Sequence, residues 1–153
     1  MGIEIERKFL VVGEAWKLQG PGEFISQGYL SRDPARTVRV RVKGKRAWLT
    51  IKGQSVGASR AEFEYPVPVV DAEHMLTLCD GPRVEKIRRV VPYAGMNWEV
   101  DEFLGDNAGL VVAEIELSSI AQLFDSPPWL GQEVTEEARY FNSQLSIRPF
   151  SAW

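Results

Sequence analysis

Cysteine and histidine are nearly absent from this sequence of 153 residues, since each occurs only once, as Cys79 and His74. One cysteine excludes a disulfide within the chain, and its usual role is that of a small core side chain. One histidine excludes a metal site built from several histidines of this chain. A Ser-His-Asp arrangement is disfavoured as well, because no nucleophile elbow accompanies His74.

Long apolar runs, glycine-rich phosphate loops and a basic surplus are also missing. No stretch reaches the roughly 18 apolar residues of a membrane-spanning helix, and neither a P-loop nor a G-x-G-x-x-G pattern occurs. The net charge of −3 gives no broad basic surface for nucleic acid. The opening MGIEIERKFLVV has acids where a signal peptide has a cationic region. We therefore expect a cytoplasmic protein with neither nucleic acid nor membrane as a partner.

What the sequence does contain is typical of one globular domain over residues 1–153, with 44% hydrophobic and 25% charged residues. The dominant pattern has a period of two, which predicts β-strands separated by glycine, proline, asparagine and aspartate. The predicted strands are 3–11, 24–31, 36–43, 46–53, 60–67, 84–92, 96–104 and 109–117. Helical patterns are fewer and predict helices at 71–79, 118–125 and 135–146, with a further short helix at 13–19.

Charged residues repeat two positions apart on these strands, and side chains two positions apart lie on the same face of a sheet. The acids of this common face are Glu4, Glu6, Glu62, Glu64, Glu99, Asp101, Glu114 and Glu116. The bases are Lys8, Arg39, Arg41, Lys43, Lys52, Lys86 and Arg88. A solvated sheet face is one interpretation, but exposed faces usually mix charge signs and include Ser, Thr and Gln.

A second interpretation is an eight-stranded antiparallel barrel that encloses the charged face as a wet lumen, or tunnel, with a few flanking helices outside. The fold class is then α+β and mostly β. Acids and bases nearly balance, which matters because an unpaired buried charge is strongly destabilising. Basic pairs suit phosphate oxygens, and acidic pairs suit divalent cations. Such a lumen fits a polyanion such as triphosphate together with metal ions.

Several segments resemble the CYTH superfamily, also called triphosphate tunnel metalloenzymes. The opening IEIERK is similar to its ExExK signature, and the segments RVRV, LTIK, EFEY, VEKIR, WEVD and VAEIEL occur in the family's order. The ending PPWLGQEVTEEARY resembles that of short bacterial CYTH proteins, so the resemblance covers essentially the whole chain. It implies an eight-stranded tunnel that binds a triphosphate and divalent metal, Mg²⁺ or Mn²⁺, as two ions.

The resemblance also implies roles for the charged residues. Its catalytic residues are Glu4, Glu6, Lys8 and Lys86. Its metal ligands are Glu4, Glu6, Asp101, Glu114 and Glu116. Its phosphate-binding residues are Lys8, Arg39, Arg41, Lys52, Lys86, Arg88 and Arg139, the last of these on the C-terminal helix. Further candidates are Glu62, Glu64, Glu99 and Tyr140.

The resemblance separates the possible substrates poorly. The short bacterial form favours inorganic tripolyphosphate, hydrolysed to pyrophosphate and orthophosphate. The alternatives are hydrolysis of thiamine triphosphate or a nucleotide, a class IV-type adenylate cyclase, and a polyphosphate-binding module that does not catalyse. The partner expected is a small-molecule triphosphate, and the sequence leaves open whether the protein is a monomer or a homodimer.

Overall fold

The computed structural model describes residues 2–153. The strands are β1 (Ile3–Val11), β2 (Glu23–Ser31), β3 (Arg36–Lys43), β4 (Arg46–Gly53), β5 (Ser59–Val67), β6 (Val84–Tyr93), β7 (Met96–Phe103), β8 (Val111–Glu116) and β9 (Leu130–Glu133). The α-helices are α1 (Val69–Leu78) and α2 (Asn142–Leu145). Short 3-10 turns span Ala15–Gln19, Gly105–Asn107, Ala138–Tyr140 and Phe150–Ala152. Within the part of the chain described, no helix is long and apolar enough to cross a bilayer.

The strands form a closed antiparallel barrel in the order β5-β4-β3-β2-β6-β7-β8-β1, and β1 pairs back to β5. This confirms the predicted eight-stranded barrel, with strand boundaries within two residues of those predicted. Tight hairpins join several neighbours. Between β6 and β7, Ala94 and Gly95 both have positive φ, 49° and 81°, which is the backbone of a hairpin turn that follows the strand twist.

The ninth strand was not predicted, and it shares one edge of β1 with β5. Residues 3–5 of β1 pair with β5, whereas Phe9 and Val11 pair with β9. The opposite edge of β1 pairs with β8 from Glu6 to Leu10. The first strand therefore closes the barrel and also anchors the C-terminal part of the chain.

Apolar clusters cover the outer face of the barrel. One contains Trp98, Ile115 and Trp129 and packs over β1, β6, β7 and β8. A second lies under α1, where Leu76 meets Val40 of β3. Gly28 permits the close approach of this helix, since a Cβ there would lie 3.0 Å from Cys79 Sγ. These clusters leave the charged side chains on the inner face.

A third cluster lies inside one end of the barrel. There the inner face of β6, β7 and β8 turns apolar, and the C-terminal segment 134–153 packs against it. The cluster consists of Val84, Phe103, Leu110, Val112, Val134, Tyr140 and Leu145, with Leu10, Phe150 and Trp153 beside it. The C-terminal segment is therefore part of the barrel's filling and not a separate outer layer.

Two helix predictions are wrong. Residues 118–125 form a turn and irregular chain, because Gln122 Oε1 accepts hydrogen bonds from both the backbone nitrogen and the hydroxyl of Ser118 and so competes with helical pairing. The segment 135–146 contains only the 3-10 turn at Ala138–Tyr140 and the short α2. Phe141 between them has extended backbone angles, φ −67° and ψ 136°. The predicted helix at 13–19 is a 3-10 turn at Ala15–Gln19.

Candidate active site

The barrel encloses a polar cavity of about 260 Å³. Strand pairing explains its lining, because residues directly opposite each other share a face. Glu4 pairs with Arg60, Lys52 pairs with Glu62, and Lys8 pairs with Glu114. The charged lining residues are Glu4, Glu6, Glu62, Glu64, Glu99, Glu114, Glu116, Lys8, Arg39, Arg41, Lys52, Arg60, Lys86 and Arg88. A lumen with near balance of acids and bases is therefore present, as predicted.

The wall formed by β6 and β7, here called the β6–β7 wall, carries cations that are paired with acids. Asp101 Oδ2 lies 2.8 Å from Lys86 Nζ, and Asp101 accepts two hydrogen bonds from Arg88, at 2.8 Å from Nε and 2.9 Å from Nη2. Burial would raise the pKa of Asp101, but Arg88 and Lys86 outweigh it and hold this pKa at about 2. Burial lowers the pKa of Lys86 to about 7, although Asp101 opposes the shift.

The wall formed by β3, β4 and β5, here called the β3–β5 wall, has a different charge balance. Arg41 Nε donates to Gln27 Oε1 at 2.8 Å, and Arg60 donates to the carbonyl oxygen of Gly53 at 3.0 Å from Nε. Neither has a carboxylate within salt-bridge distance among the residues described. Burial, together with the positive charges of Arg39 and Arg88, lowers the pKa of Arg41 to about 9.

Arg39 adds a further unsatisfied donor to the same wall. Its Nη2 donates to Thr50 Oγ1 at 3.1 Å and lies 3.4 Å from Glu64 Oε2. Its Nε is buried and has no hydrogen-bond partner. A buried polar group without a partner is unfavourable, so the β3–β5 wall is a surface that an anion would complete.

The carboxylates of the cavity occur in close pairs. Burial and the neighbouring Glu114, to which Glu6 is hydrogen-bonded, raise the pKa of Glu6 well above its usual range. Burial and the hydrogen-bonded Glu4 raise the pKa of Glu62 to about 7. Lys52 Nζ lies between the members of this second pair, 2.9 Å from Glu4 Oε1 and 3.5 Å from Glu62 Oε2.

These pairs bear on metal binding. Among residues 2–153 no group of three or more His, Cys, Asp or Glu side chains is arranged to hold an ion by itself. Mg²⁺ is usually held by one or two carboxylates, water and substrate phosphates, and not by a cage made only of protein ligands. In each of the two carboxyl pairs, burial and the neighbouring carboxyl raise the pKa of one member, and a divalent cation placed between the carboxyls would favour their charged forms. The donor set therefore suits a metal that binds together with a phosphate substrate.

Two predicted site residues are placed elsewhere. Asp101 does not line the cavity, and both its oxygens form ion pairs with Lys86 and Arg88, so its metal ligation stays a prediction. Arg139 is exposed, and its guanidinium lies 4.5 Å from the ring centre of Trp153, outside the cavity. The predicted phosphate contact of Arg139 is therefore not seen.

The structure also places Lys43 of the charged face and the candidate site residue Tyr140 outside the cavity lining. Lys43 lies 3.5 Å from Glu23 Oε1 and does not line the cavity. Tyr140 is buried in the inner apolar cluster, and only its carbonyl oxygen reaches the site, where it accepts a hydrogen bond from Lys8 Nζ at 3.4 Å.

The sequence analysis missed several cavity residues. Arg60 stands two positions before Glu62, so the same alternation rule that selected Glu62 could have found it. Tyr29 pairs with Arg39 across β2 and β3 and lines the cavity, but no local signal marks it. Asn142 and Phe141 reach the cavity from the C-terminal segment, and only tertiary packing brings them there.

Comparison with known proteins gives consistent results. A family model described as CYTH domain matches residues 2–147. An inorganic triphosphatase of Acetivibrio thermocellus is 48% identical over 151 residues, which is 98% of this chain and 97% of the relative. An inorganic triphosphatase of Nitrosomonas europaea is 37% identical over 153 residues, covering 94% of this chain and 97% of the relative. A crystal structure of an inorganic triphosphatase matches with a TM-score of 0.64 and 34% identity, over 94% of this chain and 97% of that one.

Proposed function

The chain belongs to the CYTH domain family, and on that premise we propose that it hydrolyses inorganic tripolyphosphate to pyrophosphate and orthophosphate. One observation carries the proposal. Arg41 and Arg60 face an enclosed cavity and have no carboxylate partner among residues 2–153. A small, highly charged anion supplies the missing negative charge. The inorganic substrate is supported by the activity named for both relatives described above.

The proposed metal ligands are Glu4, Glu6, Glu114 and Glu116, and the ion is Mg²⁺ or Mn²⁺. All four line the cavity. When bound, a divalent ion would supply positive charge against the phosphate oxygens and lower the pKa of an attacking water. Burial and the neighbouring Glu114 raise the pKa of Glu6, so a bound cation would compete with a proton for this carboxyl.

The proposed phosphate-binding residues are Lys8, Arg39, Arg41, Lys52, Arg60, Lys86 and Arg88. Phosphoryl transfer depends mainly on positioning and on stabilising charge, and it needs no covalent nucleophile from the protein. Arg88 is held rigidly by Asp101, whereas Arg41 is held only by the neutral Gln27. The contacts with Asp101 fix the position of Arg88, whereas the neutral Gln27 leaves the positive charge of Arg41 available to the substrate. Water then attacks one end phosphorus, and the P–O bond to the pyrophosphate leaving group breaks.

An organic triphosphate is the second candidate, because Tyr29 places an aromatic ring beside Arg39. Tyr29 is only 6% exposed, which leaves little ring surface for stacking a base or a thiazole. This favours the inorganic substrate. The cytoplasmic location and the monomer or homodimer alternative stay predictions.

The decisive experiment is a phosphate-release panel over tripolyphosphate, ATP, thiamine triphosphate and long-chain polyphosphate, each with Mg²⁺, Mn²⁺ and Ca²⁺. We expect tripolyphosphate to be hydrolysed most efficiently. Efficient turnover of ATP or thiamine triphosphate with poor turnover of tripolyphosphate would contradict the proposed substrate. Thermal stabilisation by tripolyphosphate without any phosphate release would indicate a binding module instead.

A variant separates catalysis from folding in the same assay. Glu6→Gln keeps a similar shape and a hydrogen-bond donor toward Glu114 at a buried carboxyl whose pKa is raised, so the fold should be retained. Activity should fall by more than about a hundredfold, since residues that only support metal ligands are worth about ten- to a hundredfold. Glu136→Gln is the matched control, because Glu136 is exposed and outside the cavity. Equal activity of the two variants would remove Glu6 from the mechanism.

A further inference from the structure

The C-terminal segment supplies polar groups to the inner end of the cavity. The carbonyl oxygen of Tyr140 accepts a hydrogen bond from Lys8 Nζ at 3.4 Å. Two residues later, Asn142 Oδ1 accepts from Lys86 Nζ at 3.1 Å and from Gln27 Nε2 at 3.0 Å. Two of the cavity's lysines therefore take partners from this segment.

The network around Asn142 fixes the orientation of its amide. Arg41 can only donate, so Gln27 presents Oε1 to Arg41 and turns Nε2 toward Asn142. A charged lysine also only donates, so Lys86 requires an oxygen from Asn142 as well. Both neighbours demand Oδ1, and Nδ2 must face the other way.

The Nδ2 group has no hydrogen-bond partner among residues 2–153, and Asn142 lines the cavity. Its two protons are therefore available to a ligand in the lumen. Gln27 and Lys86 are fully buried, so the groups that hold the amide in place are themselves rigid. A neutral donor fixed in this way complements a phosphate oxygen beside Lys86, Lys8 and Arg41.

We propose that Asn142 is a substrate-binding residue that receives one free terminal phosphate of the linear triphosphate, with Nδ2 donating to its oxygens. This inference rests on the proposed function, and it specifies that the substrate must have a free terminal phosphate. Behind Asn142 the barrel is filled by Tyr140 and Leu145, which are 6% and 1% exposed. No substituent on the terminal phosphate fits there, so the substrate must have at least one unsubstituted end.

Two substitutions at Asn142 separate binding from a supporting role. Asn142→Asp keeps an oxygen for Lys86 and Gln27 but replaces the donor with a negative oxygen. Asn142→Ala removes both functions. Gln144→Ala is the control, because Gln144 lies on the same short helix, does not line the cavity and has no side-chain hydrogen bond within the described chain.

The measurements are the Kd of metal-free protein for tripolyphosphate by calorimetry, and KM and kcat with Mg²⁺. We expect Asn142→Ala to weaken binding by about tenfold to a hundredfold, the range for a hydrogen bond to a charged group, and to raise KM more than it lowers kcat. Asn142→Asp should bind still more weakly while its melting temperature stays near that of the wild type. Gln144→Ala should match the wild type in every measurement.

A purely supporting residue gives the opposite order, since Asn142→Asp preserves the supporting contacts. An Asp variant that binds tripolyphosphate as tightly as the wild type, or more tightly than the Ala variant, overturns the inference. If only the proposed function fails, the result is different. The wild type and the Asn142 variants then bind tripolyphosphate with the expected order of affinities, but the wild type releases no phosphate. A wild type that does not bind tripolyphosphate overturns both.

A substrate with both ends blocked tests the requirement for a free end directly. Diadenosine triphosphate carries a nucleoside at each end, whereas ATP keeps one terminal phosphate free. We expect diadenosine triphosphate neither to be hydrolysed nor to compete with tripolyphosphate, and ATP to compete measurably. Hydrolysis of diadenosine triphosphate at a rate near that of tripolyphosphate would show that the inner end is open to substituents.

Discussion

On the β6–β7 wall of the cavity, Lys86 and Arg88 both have carboxylate partners, whereas on the β3–β5 wall Arg41 and Arg60 have none within residues 2–153. The first wall is neutralised by the protein itself, so its geometry does not depend on a ligand. On the second wall Glu62 and Glu64 partner Lys52 and Arg39, but within the described chain Arg41 and Arg60 have no carboxylate partner until an anion arrives. The β6–β7 wall therefore contributes rigidity, and the β3–β5 wall contributes affinity for the anion.

The largest effect is expected on the β6–β7 wall. Asp101→Asn removes the salt-bridge partner of the buried Lys86 and the closest carboxylate of Arg88, which keeps Glu99 at 3.2 Å and Glu114 at 3.7 Å. Breaking a buried ion pair from one side costs about 3–5 kcal/mol. Urea unfolding should therefore show a large loss in the free energy of unfolding, accompanied by loss of activity. A loss below about 1 kcal/mol would mean that this wall is not the rigid part of the cavity.

Arg41→Gln on the β3–β5 wall should show the reverse pattern. A buried cation without a counter-charge is removed, so the free energy of unfolding should stay constant or increase. The KM for tripolyphosphate should rise by about tenfold to a hundredfold. Stabilisation by tripolyphosphate, measured as a shift in melting temperature, should shrink in parallel. If Arg41→Gln instead unfolds like Asp101→Asn, the two walls do not differ in the way proposed.

The carboxyl pairs predict a smaller, pH-dependent effect. The folded-state pKa of Glu62 is about 7, above the ordinary value of 4.5, so its contribution to stability is present below about pH 4.5 and is lost as the pH rises through 7. Glu6 shifts in the same direction. The melting temperature of metal-free protein should therefore fall between pH 5 and pH 7, below the range in which the lowered pKa of Lys86 acts in the opposite direction, and Glu62→Gln should flatten that fall.

Stabilisation by Mg²⁺ should increase with pH, opposite to the fall in melting temperature of the metal-free protein. A protonated carboxyl is a poor ligand, so metal binding competes with protons and should strengthen as the pH rises through about 7. The thermal shift produced by Mg²⁺ should thus be larger at pH 8 than at pH 6. An equal shift at both values would show that Glu6 takes no part in metal binding.

The smallest effect is expected from a cation that belongs to neither wall. Arg139 stacks on Trp153 at the surface, and such a contact is worth about 0.5–1 kcal/mol. Arg139→Ala should lower the free energy of unfolding by that amount and leave kcat/KM for tripolyphosphate unchanged. A large rise in KM would return Arg139 to the substrate site, contrary to its position here.

Much of the barrel could be predicted because the information is local. Alternation on one strand assigns faces without knowledge of its neighbours, and so Glu4, Lys52 and Glu114 were placed in the lumen from the sequence. The same rule could not show that Asp101 is enclosed by Lys86 and Arg88 and does not face the cavity. That difference depends on the register between β6 and β7.

The C-terminal segment shows where local patterns fail. Its helical pattern predicted one helix over 135–146, but Phe141 is extended and the chain turns into the barrel. Burial of Tyr140 and Leu145 against Phe103 and Val112 outweighs helix propensity, which is only a weak preference. The same packing brings Asn142 to Lys86, and no pattern in the sequence around Asn142 predicts a binding residue.

The shared edge of β1 has a consequence for how the protein is made. Only three residue pairs join β1 to β5, and the remaining partners of β1 are β8 and β9, near the far end of the chain. Synthesis proceeds from the N-terminus, and contacts between distant segments form slowly. Glu4, Glu6 and Lys8 therefore leave the ribosome well before β8 and β9, the strands that pair with the rest of β1. A nascent chain cannot complete the cavity until Phe141 and Asn142 have also emerged.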